Sequence, residues 1–371
     1  MESLVTAAAA QPARGTLDVA GTRVLVTGHT GFKGAWLAEW LLQLGARVSG
    51  IALPPEYEDA PFVTLRHAER LDHAICDIRD AGALARAVRA ADPEIVFHLA
   101  AQPLVLRSYR EPLVTWETNV TGTLNLLEAL RALDRPVTAV VVTTDKVYRN
   151  REWEYPYREE DELGGRDPYS ASKAACELAV ASWRDSFGGR DGVTVVTARA
   201  GNVIGGGDQS ADRLVPDCYR AWRAGETVRL RHPAATRPWQ HVLEPLSGYL
   251  VYAAHARDRA TPVPTCNFGP GPEGDRTVEE VVAALAQYDP ERRRWTRAGG
   301  ESPHEAHALS LAIDRARRVL GWAPRLSFEE AIAWTEAGYS ALPHRLGSVV
   351  ERQIADYESR GGARLSVSVG R

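Results

Sequence analysis

A chain of 371 residues, 44% of them hydrophobic, can bury a large core and suggests one large or two modest domains. Its formal net charge of -4, with 25% charged residues, gives no electrostatic case for nucleic acid or an anionic membrane as partner. No apolar run approaches the roughly 18 residues of a membrane span, and Met1 to Gln11, with Glu2 where a leader would be basic, is not a convincing signal peptide.

Residues 1 to about 20 read as a loose arm. Arg23 to Thr27 is a short apolar strand followed at once by Gly28-His29-Thr30-Gly31-Phe32-Lys33-Gly34. An amphipathic helix with Trp36, Leu37, Trp40, Leu41 and Leu44 then stops at Gly45, and a strand from Val48 to Leu53 completes a βαβ unit. In that setting Gly-x-x-Gly-x-x-Gly has a mechanical reading: bare backbone lets a pyrophosphate approach the amides at the positive end of a helix. The acidic residue that would grip an adenosine ribose is missing after the second strand, where Pro54 and Pro55 stand with Glu56 beyond, so this feature does not decide NAD against NADP. Asp77-Ile78 end another short strand and are placed to face an adenine. Glu94 to His98 is a buried strand running into Leu99-Ala100-Ala101-Gln102, whose small residues let a cofactor come close. A long helix is expected from about Thr115 to Leu133.

The run Val137 to Val142 reads as a buried parallel strand, so Thr143-Thr144-Asp145-Lys146 stand at its carboxyl end, where open α/β sheets bind ligands. Tyr169-Ser170-Ala171-Ser172-Lys173 opens a further helix, and Tyr169 and Lys173 share one face of it. An ammonium beside a phenol favours the phenolate, which can take a proton from an alcohol. A chance Tyr-x-x-x-Lys is expected only about 0.1 times in such a chain. The lysines say more: only Lys33, Lys146 and Lys173 are lysine among 44 basic residues. Arginine fills the sites where any cation serves, whereas lysine offers an amine whose pKa can move.

After Val193 to Thr197 come Arg199-Ala200-Gly201-Asn202 and the turn Gly205-Gly206-Gly207-Asp208. Arg213, Arg237 and His241 lie in proline- and aromatic-rich segments that read as a substrate-holding lobe, where guanidinium forks suit a pyrophosphate. His304 and His307, at i and i+3 without a third ligand, do not make a metal site. A last amphipathic helix is expected near Phe328 to Tyr339, before a tail read as loose. Cys76, Cys176, Cys218 and Cys266 have no paired spacing and read as buried hydrophobes of a reducing cytoplasm. The expected fold is α/β: a Rossmann-like doubly wound parallel sheet with a smaller C-terminal substrate-binding lobe. Residues 1–20 would be the arm, and 21–204 the dinucleotide-binding domain with a returning segment at about 238–270. Residues 205–237 and 271–340 would form the lobe and 341–371 the tail.

The glycine motif with Tyr169 and Lys173 resembles the extended short-chain dehydrogenase/reductases that act on nucleotide sugars. Within them the chain is similar to the CDP-glucose 4,6-dehydratases. That narrower likeness rests on Gly28 to Gly34, His98 to Val105, Thr144-Asp145-Lys146, Gly201 to Asp208, Asp212 to Asp217, Arg237 to Val242 and Asn267 to Pro270. Three positions depart from the family pattern: Arg107 sits one place late, Gln209 stands for a tryptophan, and Ala312 to Arg315 does not follow Leu-Asp-x-x-Lys. The resemblance implies NAD as cofactor and a nucleotide-sugar substrate losing water across carbons 5 and 6, for deoxysugar biosynthesis. It implies Thr144, Asp145, Lys146, Tyr169 and Lys173 as catalytic. Gly28, Thr30, Gly31, Phe32, Lys33, Gly34, Asp77, Ile78, Leu99, Ala100, Ala101 and Thr143, together with Tyr169 and Lys173, would hold the cofactor. Gln102, Asn202, Arg213, Arg237 and His241 would hold the substrate. Asp145 would protonate the leaving hydroxyl and Lys146 handle the carbon 5 proton. Self-association as a homodimer or homotetramer is implied through the helices at about 115–133 and 169–186. The same reaction on a dTDP- or GDP-sugar, a 4-epimerase and a silent dinucleotide-binding sensor stand as alternatives.

Overall fold

The computed structural model describes residues 17–188, 192–271, 274–298 and 308–360. From the start the chain alternates. Strand β1 (Arg23–Thr27) leads to helix α1 (Phe32–Gln43), β2 (Arg47–Ala52), the single turn α2 (Pro61–Thr64), β3 (Asp72–Ile75), α3 (Ala81–Ala91) and β4 (Ile95–His98). Then come α4 (Val105–Arg110), α5 (Pro112–Trp116) and α6 (Gly122–Arg131), the last two joined by a wider π-helical turn at Glu117–Thr121. Strand β5 (Val137–Val142), helix α7 (Pro168–Phe187) and β6 (Val193–Ala200) follow.

The second half is less regular. It runs β7 (Val203–Ile204), α8 (Leu214–Arg223), β8 (Val228–Leu230), β9 (Thr236–Pro238), β10 (Gln240–His241) and α9 (Leu243–Asp258). It ends with β11 (Thr265–Phe268), β12 (Asp275–Thr277), α10 (Val278–Ala286), β13 (Trp295–Arg297), α11 (Phe328–Ser340) and α12 (Leu346–Ser359).

Seven strands form one sheet in the order β11-β6-β5-β4-β1-β2-β3, and every pairing is parallel. The alternation of side chains along a strand divides the core into two layers. Val24 and Val26 of β1, Ile95 and Phe97 of β4, and Val140 and Val142 of β5 face α1, α9 and α12. Leu25, Val96, Val137, Ala139 and Val141, one step out of phase, face α3, α6 and α7. Both faces being covered explains why these strands are continuously apolar. The strand order reverses at β1, between β4 and β2, which opens a crevice at the carboxyl ends.

A third apolar cluster joins α8, α10 and α11 through Val215, Tyr219, Trp222, Val281, Leu285 and Tyr339, with Tyr219 and Tyr339 stacked at 3.9 Å. Reciprocal caps by Thr277 with Glu280 and Ser327 with Glu330 start α10 and α11.

Two sequence expectations are corrected. The tail expected to be loose from 341 contains α12, whose Leu346, Val350, Ile354 and Tyr357 are buried against α1 and α9 in the main core. Tyr357 Oη donates to Glu244 Oε2 at 2.6 Å, so long-range packing outweighs a polar composition. At the other end, Leu17 and Val19 of the expected arm are buried in the same core, while residues 1–16 lie outside the described residues.

Candidate active site

A cleft of ≈ 1780 Å³ opens over the carboxyl ends of β1, β4, β5 and β6 and runs on to the lobe. At its centre β5 ends and the chain enters a tight turn, Asp145–Val147. Thr144 caps the turn, its Oγ1 accepting from Lys146 N at 3.3 Å and donating to Asp145 Oδ1 at 2.9 Å. Asp145 is 1% exposed, and its Oδ2 has no partner. Burial pushes this carboxyl above the usual carboxylate range, against the opposing pull of Lys146, Thr144 and Arg237. A Cβ added at Gly201 would meet Pro238 Cγ at 2.6 Å and stand 3.3 Å from Asp145 Oδ2, so the glycine lets Pro238 and the β6 end pack close beside the unpartnered oxygen. Lys146, half-buried, lines the cleft next to it.

Helix α7 brings Tyr169 and Lys173 to the same cleft. Asp167 caps α7 by accepting from Ser170 N at 2.9 Å, and Pro168 opens it, which sets Tyr169 in the first turn. Lys173 Nζ donates to Val142 O at 3.1 Å, and burial lowers its pKa. Burial likewise pushes the Tyr169 phenol up to about 12, and the groups that oppose it are the Thr144 hydrogen bond and the charge of Arg213.

The glycine loop separates two demands. Gly28 has φ +77°, and a Cβ there would meet Ala100 N at 2.8 Å; a Cβ at Gly34 would collide with Gly28 O. Those two glycines are required by the fold itself. At Gly31 a Cβ would meet only Gly28 O at 3.4 Å, an ordinary contact, so packing alone does not require a glycine there. Gly31 caps α1 with no side-chain acceptor for the first amides, and it borders the cleft. A backbone left bare at the positive end of a helix fits a dinucleotide's pyrophosphate.

Thr30, Phe32, Leu99, Ala100, Ala101 and Thr143 also line the cleft. So do Asp77, held by Arg79 at 2.6 Å, and Ile78, whose carbonyl accepts from Asn125 Nδ2 at 3.0 Å. Lys33 borders it too, but its Nζ donates to Tyr249 Oη on α9 at 2.8 Å. Burial, then the nearby charges of Arg213 and Lys173, lower its pKa to about 7.

Of the residues expected at the substrate, Asn202, Arg213 and Arg237 line the cleft. His241 does not. It is buried between the rings of Trp36 and Trp334, each 5.6 Å away, and burial lowers its pKa to about 3. Its role is packing: a half-polar ring fills a slot that the helices close. Gln102 borders the cleft, yet its amide is spent within the fold, donating to Thr115 Oγ1 at 2.9 Å and accepting from Leu104 N at 2.7 Å. Arg107 and Gln209, two of the departures from the family pattern, also line the cleft. Among the described residues no cluster of His, Cys, Asp or Glu is arranged to hold a metal, and the pair at 304 and 307 lies outside them. The four cysteines are free and buried.

The family profile described as GDP-mannose 4,6 dehydratase matches residues 25–265, from β1 to the start of β11. The chain belongs to that family. A CDP-glucose 4,6-dehydratase of Salmonella typhimurium is 42% identical over 91% of this chain and 97% of its own length. A dTDP-glucose 4,6-dehydratase of Streptomyces griseus is 30% identical over 86% of this chain and 94% of its own. In structure, the dTDP-glucose 4,6-dehydratase of Streptomyces venezuelae, solved with NAD bound, superposes with a TM-score of 0.74. It is 26% identical and covers 88% of this chain and 100% of its own.

Sequence reasoning passed over several residues of the site. Arg229, Arg231 and His232, on and after β8, line the lobe side of the cleft. Glu177 and Arg199 form a buried ion pair, and Thr143, at the head of the Thr143–Lys146 stretch, donates to Glu177. Glu177 carried a legible signal, one helical turn beyond Lys173 on the same face; Arg229 and Arg231 carried none in so arginine-rich a chain.

Proposed function

We propose that the protein is an NAD-dependent hydro-lyase that converts CDP-D-glucose to CDP-4-keto-6-deoxy-D-glucose, a step of deoxysugar biosynthesis. One observation carries the reading: a buried carboxyl with a free oxygen, Asp145, shares a cleft with Lys146 and the Tyr169–Lys173 pair. A 4-epimerase needs the tyrosine and lysine but has no use for an acid and a base in the adjoining turn. NAD, held by the Gly28–Gly34 loop, would supply a reversible hydride acceptor for carbons 4 and 6 and a positive charge near Tyr169.

The chain's own residues do the rest. Tyr169 takes the proton of the 4-hydroxyl, and Thr144, hydrogen-bonded to it, holds the sugar oxygen. Lys173, anchored on Val142 O one turn of α7 beyond Tyr169, supplies the cation that favours the phenolate. A ketone at carbon 4 acidifies the carbon 5 proton, and Lys146 removes it. Asp145, held toward its neutral form by burial, gives its proton to the departing 6-hydroxyl. Arg213 and Arg237, with Arg229 and Arg231, face the diphosphate from the lobe formed by 205–237 and 271–340.

The CDP preference is supported by the 42% identical relative and its near-complete coverage. The buried free cysteines suit a cytoplasmic enzyme. Exposed Trp116, at the start of the 115–133 segment, and Leu178 on α7 support self-association through these helices, as a dimer or tetramer. Incubation with NAD and a panel of nucleoside-diphosphate glucoses tests the assignment by the alkaline absorbance of a 4-keto-6-deoxy product. Product from CDP-glucose alone is expected. Product from another nucleotide overturns the CDP preference, and galactose isomers or no product overturn the reaction.

A further inference from the structure

The turn carrying Asp145 and Lys146 is tied on both flanks to one buried ion pair. Upstream, Thr143 Oγ1 donates to Glu177 Oε1 at 2.5 Å. Downstream, Tyr148 Oη accepts from Arg199 Nη1 at 2.9 Å and donates to Asn267 Oδ1 at 2.7 Å. Between them Arg199 grips Glu177 as a fork, Nε to Oε1 and Nη2 to Oε2, both at 3.0 Å. Thr197 Oγ1 donates to Oε2 at 2.8 Å, and the remaining Arg199 nitrogen also reaches Glu159 O at 3.0 Å. The two side chains are 4% and 3% exposed.

Such a pair is a poor source of net stability, because desolvation offsets most of the attraction. What it supplies is geometry. Glu177 lies on α7, one turn beyond Lys173; Arg199 lies on β6, the neighbour of β5 in mid-sheet. The pair therefore joins the helix that bears Tyr169 to both ends of the stretch that bears Thr144, Asp145 and Lys146. The ring of Tyr148 is itself stacked on Tyr157 at 5.1 Å, which leaves its hydroxyl little freedom.

We propose that Glu177 and Arg199 are positioning residues for dehydration, holding the Asp145–Lys146 turn in register with Tyr169 through Thr143 and Tyr148. The proposal rests on the dehydratase reading above. Elimination requires an acid and a base to meet one sugar at the same time, so it is the step that depends on the clamp. Tyr169 is held by the Asp167 cap of α7 and by its hydrogen bond with Thr144 near the upstream flank, whereas Tyr148 ties the downstream flank, beside Asp145 and Lys146.

Tyr148→Phe tests this, since it removes one hydroxyl and keeps the stacked ring. Dehydration kcat should fall about tenfold or more while KM stays within about twofold, because reacting groups displaced by a fraction of an ångström lose rate, not affinity. Exchange of the carbon 5 proton with deuterated solvent should slow in proportion, and reduced dinucleotide should accumulate in a single turnover, because oxidation at carbon 4 is spared. Glu177→Gln, which keeps the shape and loses the charge, loosens the upstream flank beside Thr144 as well, so it should slow dehydration more than oxidation at carbon 4, with a lower melting temperature. A Tyr148→Phe enzyme with unchanged kcat, with a change in KM alone, or with both half-reactions slowed equally overturns the clamp. Failure of the wild-type chain to dehydrate any nucleotide glucose is read separately, and overturns the dehydratase reading together with the clamp.

Discussion

Replacing Asp145 by asparagine keeps the shape of the side chain and its Oδ1 partnership with Thr144 but removes the proton it can give. A positioned general acid contributes roughly 10²–10⁴-fold to rate, so kcat for loss of the 6-hydroxyl should fall by that factor, about 3–5 kcal/mol in barrier. KM should change little, since the carboxyl is 1% exposed and touches no diphosphate-facing arginine except through the charge of Arg237. Because burial raises the folded-state pKa, the ionised carboxyl is penalised in the folded protein. The stability it gives is present at low pH and lost as pH rises through the folded value. The Asp145→Asn protein should therefore melt higher than the wild type at neutral pH and no higher in acid. The same titration removes the acid from its working form, so wild-type activity should decline on the alkaline side and the variant should lack that limb. A nucleotide sugar with fluoride in place of the 6-hydroxyl separates the role from mere damage, because fluoride departs without a proton. The variant should process it at close to the wild-type rate. Equal losses on the hydroxyl and fluoride substrates would refute the reasoning.

Three other substitutions test the remaining physics. Gly31→Ala should fold normally, since its Cβ meets only one atom at 3.4 Å, but should weaken NAD about tenfold or more by calorimetric titration; Gly34→Ala, whose Cβ collides with Gly28 O, should lose roughly 1–3 kcal/mol in a denaturant melt. Unchanged NAD affinity in Gly31→Ala removes the pyrophosphate from that loop. His241, buried with its pKa lowered to about 3, is neutral when folded but takes a proton near 6.5 when unfolded, so its presence costs stability as pH falls below about 6.5. His241→Leu should therefore gain about 2 kcal/mol relative to wild type on going from pH 7 to about pH 5, whatever its offset at pH 7. A pH-independent difference between the two proteins contradicts the burial argument.

What could be read from residues alone was whatever depends on local order. The strand-loop-helix unit around Gly28 to Gly34, the buried run before Thr143 and the helical spacing of Tyr169 and Lys173 follow from periodicity and turn chemistry, and the family resemblance rests on the same ordered motifs. What depends on long-range packing was not legible. Helix α12 is polar in composition and becomes a helix because Ile354 and Tyr357 find the main core. His241 sits in a motif shared with Arg237, which lines the cleft, but the segment changes partner at Trp239, Thr236–Pro238 pairing with β12 and Gln240–His241 with β7, and only that tertiary pairing turns the histidine away from the cleft. Lys173 turns to Val142 O and Lys33 to Tyr249 Oη, choices made by which carbonyl or hydroxyl lies within reach once the sheet and helices are assembled. The Glu177–Arg199 pair exists only when α7 crosses β6, two elements whose partner residues are 22 positions apart. Sequence alone determined the kinds of groups and the elements that bear them. Tertiary structure decided which groups are desolvated and which atoms they face, because dielectric and direction are properties of the assembled neighbourhood and not of the chain.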